Sequence, residues 1–444
     1  MRTGIAEALA SAGMSERAAQ EKARIFKAVD RELKTGDNPE ALRWFVPGRI
    51  EVLGKHTDYA GGRSLLCAAE RGFCVVARPR TDSLVRIDDD VRRQSFEFTI
   101  FPNLEIASSH WGLYPAAVAR RLARNFPGAL RGADISLASD LPSAAGMSSS
   151  SALVIAIYSV LSAVNRLSER TEYQADIHTE EDLAGYLGCV ENGQSYRSLV
   201  GDSGVGTFGG SEDHTAILAS KAGHLKQYSF CPVKLERTLQ LPGELVFVIG
   251  VSGIAADKTG SAKLRYNRAS QAVRSILQAW RSEEGPLAAT LAAAAASSFD
   301  APDRIRAMIR RTGTLEDPAW LLDRFEQFWA ESEKIIPLAS KALTRRDLRA
   351  FGELVDESQA AAESLLGNQV PETVWLARQA RALGACAASA FGAGFGGSVW
   401  ALVSREEAAG FTGRWREAYE HSTFKAARTS EFLVTAAGPP AIRL

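Results

Sequence analysis

Between Asp140 and Ile157 the chain reads DLPSAAGMSSSSALVIAI, a loop of proline and small residues with four consecutive serines that runs straight into an apolar stretch. Such a stretch has to be buried, so the loop is delivered to the edge of a core as the start of a helix. The first backbone N–H groups of a helix have no partner within it, and the helix dipole adds partial positive charge there. Small residues let a phosphate approach those groups closely, and serine hydroxyls can reach a phosphate-bound Mg²⁺. Taken alone, the stretch reads first as the serine-rich N-cap of a core helix, and the rest of the chain has to decide.

With 444 residues the chain exceeds what one hydrophobic core usually serves, so two domains are expected. Its 52 basic and 52 acidic residues cancel, which gives no electrostatic case for nucleic acid or an anionic membrane as partner. Five cysteines without CxxC spacing suggest neither a disulfide framework nor a zinc site, and a reducing cytoplasm fits them. The opening residues lack the apolar core of a signal peptide, and no window offers the roughly 20 apolar residues of a membrane span. They alternate apolar and charged residues at helical spacing, predicting surface helices over 1–40.

Arg43 to Val52 carries a strand signal with a Pro-Gly break, followed by the polar, glycine-bounded loop LGKHTDYAGG. From Ser64 to Phe101 several β-rich runs predict an antiparallel sheet. Helical periodicity appears at Tyr114–Phe126, Ser148–Leu161, Glu180–Gln194 and Lys263–Trp280, with a short strand at Ala133–Ala138 entering the serine loop. A domain boundary is expected near residues 235–245, then an almost wholly helical span from Pro286 to Leu366, and finally a glycine-rich loop joined to a strand at Ala388–Val403. With no low-complexity linker, the two halves should pack closely, and a cleft between them is the default site.

Three separated segments, PGRIEVLGKHTDYAGG (47–62), LPSAAGMSSSSAL (141–153) and FGAGFGGSV (391–399), together resemble the galactokinase branch of the galactokinase, homoserine kinase and mevalonate kinase (GHMP) superfamily. GTFGGSEDH (206–214), VSGIAADKTGSAKLRYNRAS (251–270) and DLRAFGELVDESQ (347–359) extend the likeness over all but the first forty residues. The resemblance implies an α+β, two-domain GHMP kinase fold. A ribosomal-protein-S5-domain-2-like N-terminal domain would span 41–240 and carry the ATP and sugar motifs, and a ferredoxin-like C-terminal domain with added helices would span 241–444. It implies a sugar 1-kinase that uses ATP and Mg²⁺ to phosphorylate the anomeric hydroxyl of a monosaccharide.

Phosphoryl transfer needs a triphosphate cradle, a divalent ion, a group that manages the acceptor proton, and positive charge facing the moving phosphoryl group. By resemblance, Pro142, Gly146, Ser148, Ser149 and Ser150 form the cradle with Gly394 and Gly396 of the third motif. Ser150 and Glu191 match the family's metal ligands, and Asp213 and Arg49 match its catalytic pair. Lys55, His56, Asp58, Gly210, Asp213 and Tyr266 match its sugar contacts. Taken by themselves, Asp213 could be a helix N-cap, Arg49 a surface residue beside a turn, and Glu191 a solvated helix residue.

The departures matter too. Lys55 stands where galactokinases carry glutamate, and a lysine there would favour a carboxylate or phosphate on the sugar, so an acidic sugar such as a uronic acid is expected beside galactose. Ala144 replaces a usual glycine, acceptable if its φ is negative. Gln359 replaces a frequent histidine, and the loop between Glu191 and Asp213 is longer than in galactokinase. A non-catalytic sugar or nucleotide sensor on the same fold is the alternative, which the presence of Arg49, Ser150 and Asp213 disfavours.

Overall fold

The computed structural model describes residues 4–33, 40–105, 111–256, 261–311 and 317–444; residues 257–260 of the segment ending in Tyr266-Asn267 lie outside them. Helices α1 (Ile5–Ser11) and α2 (Glu16–Glu32) precede strands β1 (Leu42–Leu53), β2 (Arg63–Pro79), β3 (Leu84–Asp89) and β4 (Gln94–Thr99). Then come α3 (Leu113–Asn125), β5 (Ala133–Ser139), α4 (Ser149–Asn165), α5 (Thr171–Asp176), α6 (Glu180–Asn192) and α7 (Glu212–Ala219), and the hairpin β6 (His224–Ser229) and β7 (Lys234–Gln240). The second half begins with β8 (Leu245–Val251) and five helices, α8 (Ser261–Glu284), α9 (Leu291–Ala295), α10 (Ala301–Arg311), α11 (Pro318–Trp329) and α12 (Ile336–Thr344). It closes with α13 (Leu348–Ala361), α14 (Pro371–Ala382), β9 (Ala387–Phe391), β10 (Ser398–Ser404), α15 (Ala408–Glu420), β11 (Glu431–Thr435), β12 (Ala437–Gly438) and β13 (Ile442–Arg443).

Nine strands form the first sheet, along β13-β1-β2-β5-β3-β4 with β6, β7 and β12 joined beside β2. Strand alternation divides its residues between two cores. Val46, Val75, Ala77, Ile135 and Leu137 face the main core, which the apolar stripe of α4 fills with Val154, Ile157 and Leu161. Phe45, Cys74, Val76 and Ala138 face the other way and bury Leu9, Phe26 and Val29 of α1 and α2. The opening helices are therefore a layer of this domain. The expected antiparallel run holds except at β3, which pairs with β5 in parallel.

The second sheet, β11-β8-β10-β9, is antiparallel, with β8, β9 and β10 buried on both faces. Val246 and Val248 face α14 and α15, while Phe247 and Ile249 join the main core that spans both sheets. The first sheet's β7 ends at Gln240 and the second sheet's β8 begins at Leu245, yet β12 and β13 return to pair with β2 and β1. The last residues thus complete the first sheet, a long-range pairing that no local pattern announces. Helices α8 to α11 pack around the loop after β1, with Ala60 in their cluster.

Lys22 of α2 is 1% exposed and bonds Asp140, the residue that opens the serine loop. Asp140 also accepts the amide of Gly72 at 2.8 Å. Removing one partner of a buried pair leaves the other charge uncompensated, softened here because Asp140 is 18% exposed. Lys22→Ala should lower unfolding stability by roughly 1–3 kcal/mol, read from the urea midpoint with the slope unchanged.

Candidate active site

β1 places Arg49 and Glu51 on one side of the strand, two residues apart, and then breaks at Gly54, where φ is +126° and a Cβ would lie 2.3 Å from the Ser64 hydroxyl. The chain turns there into Lys55, His56, Thr57 and Asp58. Arg49 reaches the centre of the molecule, where its Nε donates to Asp213 Oδ1 at 2.8 Å and its Nη1 donates to the carbonyl of Gly146. Its own amide donates to Met147 O at 3.2 Å. Burial works against the charge on Arg49, but Asp213, Glu51 and Glu212 outweigh it and hold the guanidinium pKa above its ordinary value.

Two pockets meet at Arg49 and Ala393, which line both. One is walled by His56, Asp58, Glu191, Asn192, Gly210, Asp213 and Tyr266. The other is walled by Ser143, Gly146, Ser148, Ser149 and Ser150, with Trp111, Tyr114 and Arg92 opposite.

The serine loop is held from behind by its carbonyls. Ala144 O accepts from Ala256 N at 2.9 Å, Ala145 O from the Ser398 hydroxyl at 2.6 Å, and Gly146 O from Arg49. Ala144 adopts φ +49°, contrary to the negative value expected for a residue with a side chain, and Ser148 adopts +60°. Two such positions in one loop cost of order 1–2 kcal/mol each, and the carbonyl contacts that fix the loop supply the compensation. Ser148 Oγ is buried without a hydrogen-bond partner, the state expected of a hydroxyl shaped for a ligand. The third motif presses on the same loop, since a Cβ at Gly392 (φ +82°) would lie 2.8 Å from Gly146 O.

In the Asp213 pocket, Asp58 Oδ2 accepts the amide of Glu212 at 3.1 Å, and a Cβ at Gly210 would lie 2.3 Å from that oxygen. Arg324 donates to Tyr59 Oη at 3.1 Å, and His56 ties Tyr59 to Ala393 O through Nδ1 and Nε2 at 2.8 and 3.0 Å. With Nε2 donating to the carbonyl, Nδ1 accepts the tyrosine proton. The long loop before Asp213 folds back on Asn192, whose Oδ1 accepts from Gly209 N at 2.8 Å and whose Nδ2 donates to Gly210 O at 3.0 Å. Glu191 and Asp213 consequently stay together, the Ser151 hydroxyl lying 2.8 Å from one carboxylate and 3.4 Å from the other. Tyr266 packs its ring 5.1 Å from that of His56, and burial pushes its pKa well above the ordinary tyrosine value.

Three family profiles match the chain: the galactokinase galactose-binding signature over residues 32–79, the GHMP kinases N terminal domain over 114–193, and GHMP kinases C terminal over 339–421. The galactokinase of Roseiflexus sp. (strain RS-1) is 29% identical over 86% of this chain and 88% of its own. This chain is a galactokinase-like GHMP kinase. A second relative, the galactokinase of Streptomyces coelicolor, is 26% identical over 90% of this chain and 94% of its own. Galactose-complexed Lactococcus lactis galactokinase superposes with a TM-score of 0.76 at 22% identity, over 94% of this chain and 99% of that one. Methanococcus jannaschii mevalonate kinase reaches 0.54 at 12%, over 90% and 99%. The two-domain α+β fold is thereby that of the GHMP kinases, and the protein is a sugar kinase, a phosphotransferase.

Within this kinase Arg49, His56, Asp58, Glu191, Gly210, Asp213 and Tyr266 share one pocket, and Gly146, Ser148, Ser149 and Ser150 share the other. Pro142, Gly394 and Gly396 line neither; Pro142 is buried behind the loop, and Gly394 packs on Asn368. Lys55 lines neither as well. It is 1% exposed, and its ammonium donates to Ser358 Oγ at 3.0 Å from within the core. The charge argument for a uronic acid therefore loses its basis: a lysine turned inward offers nothing to a substrate carboxylate, and the relatives are galactokinases. Reading by resemblance missed Ser151, Asn192, His214, Glu51 and Glu212. The one visible signal was Glu51, an acidic residue inside the apolar run of β1.

Gly392→Ala should destabilise the protein by about 1–2 kcal/mol through its left-handed φ and weaken binding of an ATP analogue by pushing on Gly146. Isothermal titration beside a urea melt reads both effects.

Proposed function

We propose that this kinase transfers the γ-phosphoryl group of ATP to the anomeric hydroxyl of galactose, giving galactose 1-phosphate and ADP. The observation that carries the reading is the position of the Arg49–Asp213 pair, at the point where the serine pocket opens into the Asp213 pocket. The galactose-binding signature covers β1 and the loop after it, which supports galactose as the acceptor. Serine hydroxyls and loop amides at the start of α4 suit the triphosphate, and Trp111 and Tyr114 give the same pocket an aromatic wall for the base.

Asp213 faces the acceptor and takes or orients its anomeric proton as the sugar oxygen bonds to the γ-phosphorus and the bond to the β–γ bridging oxygen breaks. Arg49 lies against both groups and stabilises negative charge as it spreads over the transferring phosphoryl oxygens. Asp58 presents a carboxylate suited to two sugar hydroxyls, while the Tyr266 ring closes the pocket.

The residues present fit Mg²⁺. Ser150 lines the serine pocket, Glu191 of α6 lines the adjoining Asp213 pocket and is joined to α4 by the Ser151 hydroxyl, and Ser148 offers a buried, unpartnered hydroxyl. Among the described residues no group of three or more His, Cys, Asp or Glu could hold a metal, and magnesium beside a nucleotide needs only one or two protein ligands. Ser150 and Glu191 would hold it, and when bound it neutralises charge on the β- and γ-phosphates.

In an ADP-release assay over neutral hexoses, amino sugars and uronic acids, galactose should give the highest kcat/KM. Asp213→Asn should lower kcat about 10²- to 10⁴-fold with little change in ATP affinity. Wild-type turnover by that variant would remove Asp213 from the chemistry.

A further inference from the structure

Two carboxylates in the Asp213 pocket have no part in the scheme above. Glu51 of β1 and Glu212 of α7 are 3% and 6% exposed, and their side chains are in hydrogen-bonding contact. Glu51 Oε2 accepts the amide of Gly392 at 3.1 Å and lies 3.8 Å from Arg49 Nη2, while its Oε1 is buried without a donor. Glu212 Oε2 accepts the Ser64 hydroxyl at 2.5 Å.

The cations that face the pair are Arg49 on β1 and Lys55 just beyond it; the anions are Asp58 from the loop and Asp213 from α7. His214 and Glu191 stand further along the same wall, and Glu331, from the π-helical turn after α11, accepts the amide of Gly54 at 2.8 Å. Two touching, fully charged carboxylates in so buried a place would repel each other and leave Oε1 unsatisfied. One proton between them removes both difficulties.

We propose that Glu51 and Glu212 share a single proton, and that this dyad, with buried Lys55 as its counter-ion, positions the Gly392 turn and reserves Arg49 for Asp213. Burial is the largest influence on both and raises both from the ordinary carboxylate range, with Arg49 and Lys55 pulling Glu51 back. A second negative charge on the dyad would compete with Asp213 for a guanidinium already 3.8 Å away. Lys55 then belongs to the internal charge balance and not to the substrate. The kinetic consequence rests on the proposed kinase activity, whereas the shared proton does not.

The folded state holds a proton that the unfolded chain releases near pH ~4.3. The associated stability is complete below that value and is lost as pH rises through the folded value. The full-length protein should show a carboxylic-acid C=O band in infrared pH-difference spectra, lost in both Glu51→Gln and Glu212→Gln. Its melting temperature should decline with rising pH more steeply than that of either variant, and Lys55→Met should move the decline to higher pH.

In kinetics, wild-type kcat should fall by up to about tenfold per pH unit above the deprotonation of the dyad, and each glutamine variant should lose that limb. Absence of the band, or equal pH slopes of melting in wild type and both variants, overturns the shared proton. A basic limb of kcat that persists in both variants overturns the positioning role. Failure to turn over any sugar overturns the proposed function instead, and the infrared and melting results still decide the dyad.

Discussion

The buried ion pair between Arg49 and Asp213 is the constraint on which the rest of the site depends. A guanidinium inside a protein is tolerable only if nearly every donor has an acceptor, and here the acceptors come from different parts of the chain. Asp213 arrives on α7 and Gly146 on the serine loop, while Glu51 flanks Arg49 on its own strand. Satisfying one arginine therefore brings the first motif, the serine loop and the aspartate loop to a common point. The third motif follows, because Gly392 packs on Gly146 O and its amide bonds Glu51.

The same arginine sits where the two pockets meet, so what holds the site together also faces the place where phosphoryl transfer would occur. Its environment is strongly acidic. Asp213, Glu51 and Glu212 act on it directly, Asp58 and Glu191 line the same pocket, and the inward-turned Lys55 contributes positive charge beside Glu51. A lysine standing where relatives carry glutamate thus changes the balance among buried side chains. Its effect on substrate choice cannot be read from its charge alone, because the ammonium points at Ser358 and away from the pocket.

Much of the architecture was legible beforehand. The helices α3, α4, α6 and α8 follow the apolar periodicity of their segments within a few residues, because each buries an apolar face, α4 against the first sheet, α3 and α6 against α4, and α8 against α9 to α11. The passage between the sheets falls where the pattern changed, at Lys234–Val251. Less legible were the parallel pairing of β3 with β5, the return of β12 and β13 to the first sheet, and the docking of α1 and α2 on Phe45 and Val76. Each depends on a partner far away in sequence. The left-handed Ala144 belongs here too, since its φ is imposed by contacts to Ala256 and its neighbours' contacts to Ser398 and Arg49.

By itself, the sequence determined which residue types were available for chemistry and in what order: an arginine after a Pro-Gly break, a serine loop before an apolar helix, an aspartate after a glycine run, and a final glycine loop. Local propensity and composition suffice for that, because glycine, serine and proline announce turns and caps wherever they occur. Only the tertiary structure decided which way Lys55 points, that Ser151 joins Glu191 to Asp213, and that Glu51 touches Glu212. Those outcomes follow from the close packing and low polarity of a buried site. There, each charge must find its partner among residues that meet only when the whole chain has folded.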